Sequence, residues 1–302
     1  MVNITHKSDT LRKATATAIV QLSNIATVEA IKHNQVPKGD VFSFAKVAAF
    51  FAIKKTSDMI PDCHPLPVEY SDVRFAINDL QIQIEVEVHT IYKTGVEVEA
   101  MHGASIAALT LYDMLKPLDK GIEILQVKLL EKTGGKSDKK WLPTKGINAA
   151  VIVCSDSVFQ QKATDKAGLA FIEKLKTHAV ETTHYEIVPD ESIAIEQVFQ
   201  KLIQDKISLL IFVGGTGVSP RDISVETIRP LLDKELPGVM ETARSYGQER
   251  MPFAMLSRSI AGTVGDSLVL CLPGSTNAAK EYADALFPQV LHVFNMLDAA
   301  GH

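Results

Sequence analysis

The chain has 302 residues, which at roughly 100 to 200 residues per domain is enough for two domains with separate cores. Hydrophobic residues make up 46% and charged residues 22%, with 17 glycines and 13 prolines, a balance that excludes fibrous, low-complexity and disordered classes. The formal net charge is −5 with the acidic excess in the second half, so no basic surface for nucleic acid is expected. The longest apolar run, Val47 to Ile53, falls far short of the roughly 20 residues of a membrane span. The opening stretch MVNITHKSDTLRKATATAIV has no basic segment followed by an apolar core and a small-residue cleavage site, so the cytoplasm is expected. Three widely spaced cysteines, Cys63, Cys154 and Cys271, supply neither a disulfide framework nor metal-binding CxxC spacing.

In chain order, Asp40 stands as the N-cap of a helix over Val41 to Thr56. A strand over Val68 to Ile77 turns at Asn78-Asp79 into QIQIEVEV, Gln81 to Val88, whose strict alternation is that of a strand with one buried face. A second helix follows over Val96 to Lys116, rich in alanines that permit close packing on a sheet, and then a strand over Gly121 to Lys132. Together these predict an α+β layer, an antiparallel sheet with helices on one face. From Thr133 to Gly146, TGGKSDKKWLPTKG loses periodicity and gathers Gly, Lys, Asp and Pro. The domains are therefore drawn as 1–138 and 147–302 with a linker over 139–146, and most of the lysines between Lys128 and Lys145 are read as a solvated face, Lys132 and Lys136 excepted.

Beyond the linker the rhythm is strand INAAVIVCSD, helix Asp165 to Ala179, strand HYEIVPDE, helix Ile193 to Asp205, strand SLLIFVGGTG, and later strand DSLVLCLPGS feeding a helix over Ala278 to Leu297. Near-continuous apolar strands separated by helical periods predict an α/β domain with a largely parallel sheet covered on both faces, its ligands at the carboxyl ends of the strands. Three strand ends carry polar clusters: Cys154-Ser155-Asp156-Ser157, Gly214-Gly215-Thr216-Gly217 and Gly274-Ser275-Thr276. Glycines free the backbone to aim consecutive N–H groups at an anion. Ser219-Pro220-Arg221-Asp222 follows the glycine loop and Asp190 ends a neighbouring strand. Two carboxylates on one rim suit Mg²⁺ shared between triphosphate oxygens, and equally suit plain helix capping.

Cys154-Ser155-Asp156, Val188-Pro189-Asp190-Glu191, GGTGVSPRD, PGVMETAR, LSRS and LPGS occur in that order over residues 146 to 300. This half resembles the molybdopterin adenylyltransferase family of MogA and MoaB type, related to domains of gephyrin and Cnx1. The resemblance implies ATP and Mg²⁺ as co-substrate and metal, with molybdopterin adenylylated and pyrophosphate released. It implies Asp190 and Asp222 as the metal-linked catalytic carboxylates. Gly214, Gly215, Thr216, Gly217, Gly274 and Ser275 would hold phosphate and pterin groups, with Ser257 and Arg258 nearby. A trimer is implied for this half.

In the first half, KGDVF, CHPL, KTGVEVEA, YDMLK and GGKS bring together lysines, a histidine and carboxylates, the groups needed for acid-base work on a phosphorylated substrate. These motifs, with the MVNITHKSDTLR start, resemble the MoaC family, cyclic pyranopterin monophosphate synthase. The resemblance implies a ferredoxin-like fold and conversion of 3′,8-cyclo-7,8-dihydro-GTP into cyclic pyranopterin monophosphate and pyrophosphate, with no cofactor required. Asp113 and Lys116 would be the acid-base pair and Lys38 would assist. His64 and Glu99 would shape the pterin site with Glu97 behind them, and Arg12 and Lys136 would meet phosphates. Sites between subunits of a hexamer are implied. The joint reading is a bifunctional molybdenum cofactor biosynthesis enzyme acting on pterins and purine nucleotides, with molybdopterin synthase as a partner, since sulfur must be added between the two steps. The alternative is an active synthase fused to a non-catalytic pterin-binding or oligomerising scaffold module.

Overall fold

The computed structural model describes residues 1–134 and 146–298, and the chain divides into two compact units, Met1–Lys139 and Lys140–His302. The expected linker, apart from Gly146, lies outside the described residues, and so does Lys136.

The first unit runs β1 (Thr10–Gln21), α1 (Ile25–Lys32), α2 (Val41–Lys54), α3 (Thr56–Met59), β2 (Tyr70–Asn78), β3 (Gln81–Tyr92), α4 (Glu97–Leu115) and β4 (Glu123–Thr133). Its sheet has the order β2-β3-β1-β4 with every neighbouring pair antiparallel. Alternation builds the core: Ile82, Ile84, Val86 and Val88 of β3 point to the same side as Ala14, Ala16, Ala18 and Val20 of β1, all buried. Against this face pack Val41, Ala45, Ala49 and Ile53 of α2 and Ala100, Ala104, Ala107 and Leu111 of α4. The side chain of Asp40 accepts hydrogen bonds from the N–H groups of Phe42 and Ser43 and so starts α2. Three elements were not among those expected, β1, α1 and the single-turn α3. In β1 the inward positions are mostly alanine, so the apolar contrast with the outward threonines is weak although the strand is central.

The second unit runs β5 (Asn148–Cys154), α5 (Asp156–Phe159), α6 (Ala167–Lys176), β6 (Glu181–Val188), α7 (Ser192–Gln204), β7 (Leu209–Val213), α8 (Ser224–Ile228), β8 (Lys234–Glu235), α9 (Pro237–Gln248), β9 (Ile260–Val264), β10 (Ser267–Leu272), α10 (Thr276–Leu286) and α11 (Val293–Leu297). The strand order is β6-β5-β7-β10-β9-β8. The first four strands are parallel, and β9 runs antiparallel to both of its neighbours. Residues of β5 alternate between two cores. Ala149 and Val151 meet α6, α9 and α10, whereas Ala150, Ile152 and Cys154 meet α7 and α8. Both faces are thus covered, which is why these strands read as continuous apolar runs.

The single helix expected over Ala278 to Leu297 is corrected by the structure. It stops at Leu286, because Phe287 takes an extended conformation (φ −99°, ψ 136°) ahead of Pro288, as the residue before a proline prefers. A short 3₁₀ turn over Gln289–His292 then leads into α11. No helix among the described residues is long and apolar enough to cross a membrane.

Candidate active sites

In the first unit the titratable residues gather at the two ends of α4. At its C-terminal end Asp113 is bridged by two lysines: Lys116 Nζ lies 2.7 Å from Oδ1, one turn along the same helix, and Lys38 Nζ lies 2.7 Å from Oδ2 and 2.8 Å from the Asp113 carbonyl. Their hydrogen bonds, first that of Lys116 and then that of Lys38, hold the Asp113 carboxyl down to about 2. Asp113 in turn raises Lys116. At neutral pH Asp113 is therefore a carboxylate and Lys116 an ammonium.

At the other end, Glu97 and Glu99 occupy the first turn of α4, where the helix dipole favours acidic groups. Glu97 Oε1 takes a 3.0 Å bond from Lys132 of β4. Glu99 is 3% exposed, and the Cys63 thiol lies 4.0 Å from its Oε1. Burial, reinforced by the charge of Glu97, lifts its pKa to about 7. His64, next to Cys63, has Nε2 2.8 Å from the carbonyl oxygen of Val2. Arg12 of β1 donates from Nε to the Tyr92 carbonyl at 3.2 Å.

Within the chain these two clusters stay apart. Glu99 and Asp113 are fourteen residues apart on one helix, about 21 Å at a rise of ~1.5 Å per residue. The structure brings Lys38, Asp113 and Lys116 together, and separately Cys63, Glu97, Glu99 and Lys132.

The raised pKa of Glu99 has a stability consequence. The folded state binds this proton more tightly than the unfolded chain does, so the favourable term is complete below about 4.5 and is lost as pH rises toward 7. That shift corresponds to about 3 kcal/mol at ~1.4 kcal/mol per pKa unit. Denaturant midpoints of the first unit measured at pH 5 and pH 8 are expected to fall with pH in the wild type. Glu99→Gln should remove that part of the decline; an identical decline in the variant would refute it.

In the second unit the carboxyl ends of β5, β6, β7 and β10 open on one cavity of about 870 Å³. Its wall includes Asp190, Gly214, Gly215, Thr216, Gly217, Asp222, Ser257, Gly274 and Ser275. Gly214 and Gly215 take φ of +115° and +62°, and a Cβ on Gly214 would run into the carbonyl of Cys154. The loop can pass this close to β5 only without a side chain there. Asp222 Oδ2 accepts from the N–H of Ser219 at 2.8 Å. Arg258 lies behind the loop, donating from Nε to the Gly217 carbonyl and from Nη2 to the Asp222 carbonyl, both at 2.6 Å, and pairing with Glu226. It braces the backbone that carries Asp222.

Asp190 Oδ1 is closed to solvent with no hydrogen-bond partner among the described residues. Burial pushes its pKa up, and the charges of Asp156 and Asp222 add to that. A desolvated, unpartnered carboxylate oxygen beside a second acid fits a cation. Among the described residues no three His, Cys, Asp or Glu side chains gather to hold a metal, so a cation here would take its other ligands from phosphate and water, the habit of Mg²⁺. Sequence reasoning missed part of the wall: Thr164 to Ala167, Met251, Phe253, Leu256, Glu281 and Tyr282. These residues lie in none of the strand-end motifs; the segment leading into α6 carries Thr164 to Ala167, the segment after α9 carries Met251, Phe253 and Leu256, and α10 carries Glu281 and Tyr282.

The two units, one an antiparallel sheet with polar clusters at both ends of a helix and the other a largely parallel sheet with a glycine loop lining a cavity at its strand ends, correspond to two family models. The first, described as the MoaC family, matches residues 1–135, and the second, described as "Probable molybdopterin binding domain", matches residues 150–292. A molybdenum cofactor biosynthesis bifunctional protein of Chlorobaculum tepidum is 40% identical over all of this chain and 96% of its own length. A protein of the same description from Synechococcus elongatus is 35% identical over all of this chain and 98% of its own. The chain belongs to this bifunctional family of molybdenum cofactor biosynthesis proteins. A cyclic pyranopterin monophosphate synthase of Nitratidesulfovibrio vulgaris is 47% identical over 45% of this chain and 86% of its own length.

Proposed function

We propose that the first unit converts 3′,8-cyclo-7,8-dihydro-GTP into cyclic pyranopterin monophosphate with release of pyrophosphate. The observation that carries this is Asp113 held between Lys38 and Lys116, an ion cluster able to pass a proton beside a phosphorylated substrate. Asp113 and Lys116 act as the acid-base pair and Lys38 assists. His64, Glu97 and Glu99 shape the pterin site, and Arg12 and Lys136 bind phosphates. The strand order β2-β3-β1-β4, with helices α1 to α3 between β1 and β2 and α4 between β3 and β4, supports reading the unit as ferredoxin-like.

Because the two clusters are separated along α4, each site is completed by a second copy, one contributing Asp113 and the other Glu99. Asp113→Ala and Glu99→Ala, each inactive alone, should then restore about a quarter of wild-type synthase activity when co-expressed, the share of intact sites in randomly mixed two-fold pairs. Absence of any recovery from a mixed oligomer would overturn the shared site. A hexamer is the assembly we propose, with molybdopterin synthase as the partner acting between the two reactions.

The second unit transfers AMP from ATP to the phosphate of molybdopterin. The substrate phosphate oxygen forms a bond to the α-phosphorus as the bond to pyrophosphate breaks. What supports this is the cavity in which the Gly214–Gly217 cradle, Asp190 and Asp222 meet, since such transfer needs positioning and charge neutralisation more than a protein nucleophile. Asp190 and Asp222 would hold Mg²⁺, which when bound supplies positive charge between triphosphate oxygens. The test incubates full-length protein with molybdopterin and Mg²⁺-ATP and follows adenylylated pterin by mass spectrometry. Product from the wild type and none from Asp222→Ala is expected. A folded, pterin-binding wild type that makes none would leave a synthase carrying a binding module.

A further inference from the structure

Behind the two cavity carboxylates lies a layer that the reading above leaves unused. Asp156 opens α5 just after β5, and Asp190 follows β6. The two exchange hydrogen bonds: the N–H of Asp156 donates to Asp190 Oδ2 at 3.0 Å, and the N–H of Asp190 donates to Asp156 Oδ1 at 3.0 Å. The second oxygen of Asp156 accepts from Arg221, from Nε at 3.0 Å and from Nη2, and Arg221 immediately precedes Asp222. Three strand-end segments, after β5, β6 and β7, are thereby tied at one point. The tie uses one oxygen of Asp190 and leaves Oδ1 as the oxygen without a partner.

A buried acceptor without a donor is costly, and it persists where the surrounding structure fixes it. Here the fixing group is identifiable. Without the Asp156 contacts, Asp190 could turn and share both oxygens with nearby N–H groups or water. With them, its rotamer is set and one oxygen is kept for a positive partner.

We propose that Asp156, braced by Arg221, is a positioning residue that holds Asp190 Oδ1 ready for a divalent cation arriving with a nucleoside triphosphate. This rests on the nucleotidyl-transfer reading of the cavity and adds to it the residues that orient the carboxylate. Outer-layer partners of this kind typically change metal affinity or activity by about 10- to 100-fold.

The experiment uses the full chain and measures Mn²⁺ binding by electron paramagnetic resonance in the presence of a non-hydrolysable ATP analogue. Asp156→Ala should weaken Mn²⁺ binding by about 10- to 100-fold and lower the adenylylation kcat comparably, with KM for molybdopterin within about twofold of wild type. Asp156→Asn keeps an acceptor for the N–H of Asp190 but turns its amide N–H₂ toward the Arg221 donors, so it should recover part of the loss and match Arg221→Gln, which a general loss of folding would not do. Should Asp156→Ala melt early, Arg221→Gln carries the test with an expected loss of about tenfold in Mn²⁺ affinity. Unchanged Mn²⁺ affinity in the folded variant overturns the proposal, as does an Asn variant as impaired as Ala. Wild-type protein that binds no Mn²⁺ with the analogue also overturns it. Binding that depends on Asp156 with no adenylylated product would keep the positioning role and remove the adenylylation reading.

Discussion

Asp113→Asn should lower the synthase kcat by about 10²- to 10⁴-fold, the range over which a positioned acid or base contributes, while leaving the fold intact. The side chain is 54% exposed and its two lysine partners are exposed as well, so little stability rides on these ion pairs. What the substitution removes is charge: Lys38 and Lys116 would face each other across a neutral amide. The pKa of Lys116, raised now mainly by its hydrogen bond to Asp113, would fall, so the residual activity should show a basic limb shifted to lower pH. The acid side has its own sign. A carboxyl depressed to about 2 contributes its stabilisation above the unfolded value near 3.8 and loses it as pH falls toward 2. Any difference in melting between the two proteins should therefore narrow in strong acid. Single-turnover kinetics beside melting curves check all of this. A variant retaining more than about a tenth of wild-type kcat would remove Asp113 from the proton-transfer pair.

The two sites differed in how much of them could be read from the chain. In the second unit the strand ends announce themselves, because a parallel sheet covered on both faces must put its polar residues where the strands stop. Cys154, Asp190, Val213 and Leu272 mark four such ends, and the clusters beside them line one cavity. The Asp156–Arg221 contact was not legible, since its partners are 65 residues apart and each fits an ordinary helix start or loop. In the first unit β3 could be drawn from its alternation of glutamates and glutamines with isoleucines and valines. Its neighbour β1 could not, because small alanines stand where the core needs only thin packing against α4. The helix expected over Val96 to Lys116 already puts Glu99 and Asp113 near opposite ends of α4; what the sequence could not tell is which distant loop residue each one meets, Cys63 for Glu99 and Lys38 for Asp113.

Gly214→Ala should separate the two units thermally. At φ +115° an L-residue sits in backbone territory that costs on the order of 1–3 kcal/mol. The new Cβ would also collide with the Cys154 carbonyl oxygen and lie 3.2 Å from its carbon. That obstacle is backbone of the buried strand β5 and cannot rotate away as a side chain would. Retreat in the other direction is blocked too, because Gly274 packs so closely that a Cβ placed on it would stand 3.1 Å from the Gly214 Cα. Strain and collision together put the expected loss at about 3 kcal/mol or more. At ~2–4 °C per kcal/mol for a domain of this size, the second unit should melt roughly 6–12 °C earlier. The loop from Gly214 to Gly217, which lines the cavity, would have to shift, so ATP binding and adenylylation should fall with it. The first unit has its own core, and its melting transition and synthase turnover should stay in place. Differential scanning calorimetry resolves the two transitions. A variant with an unmoved second transition and full affinity for ATP would mean that the loop tolerates a side chain at Gly214 and that the close approach to β5 is not what shapes the cradle.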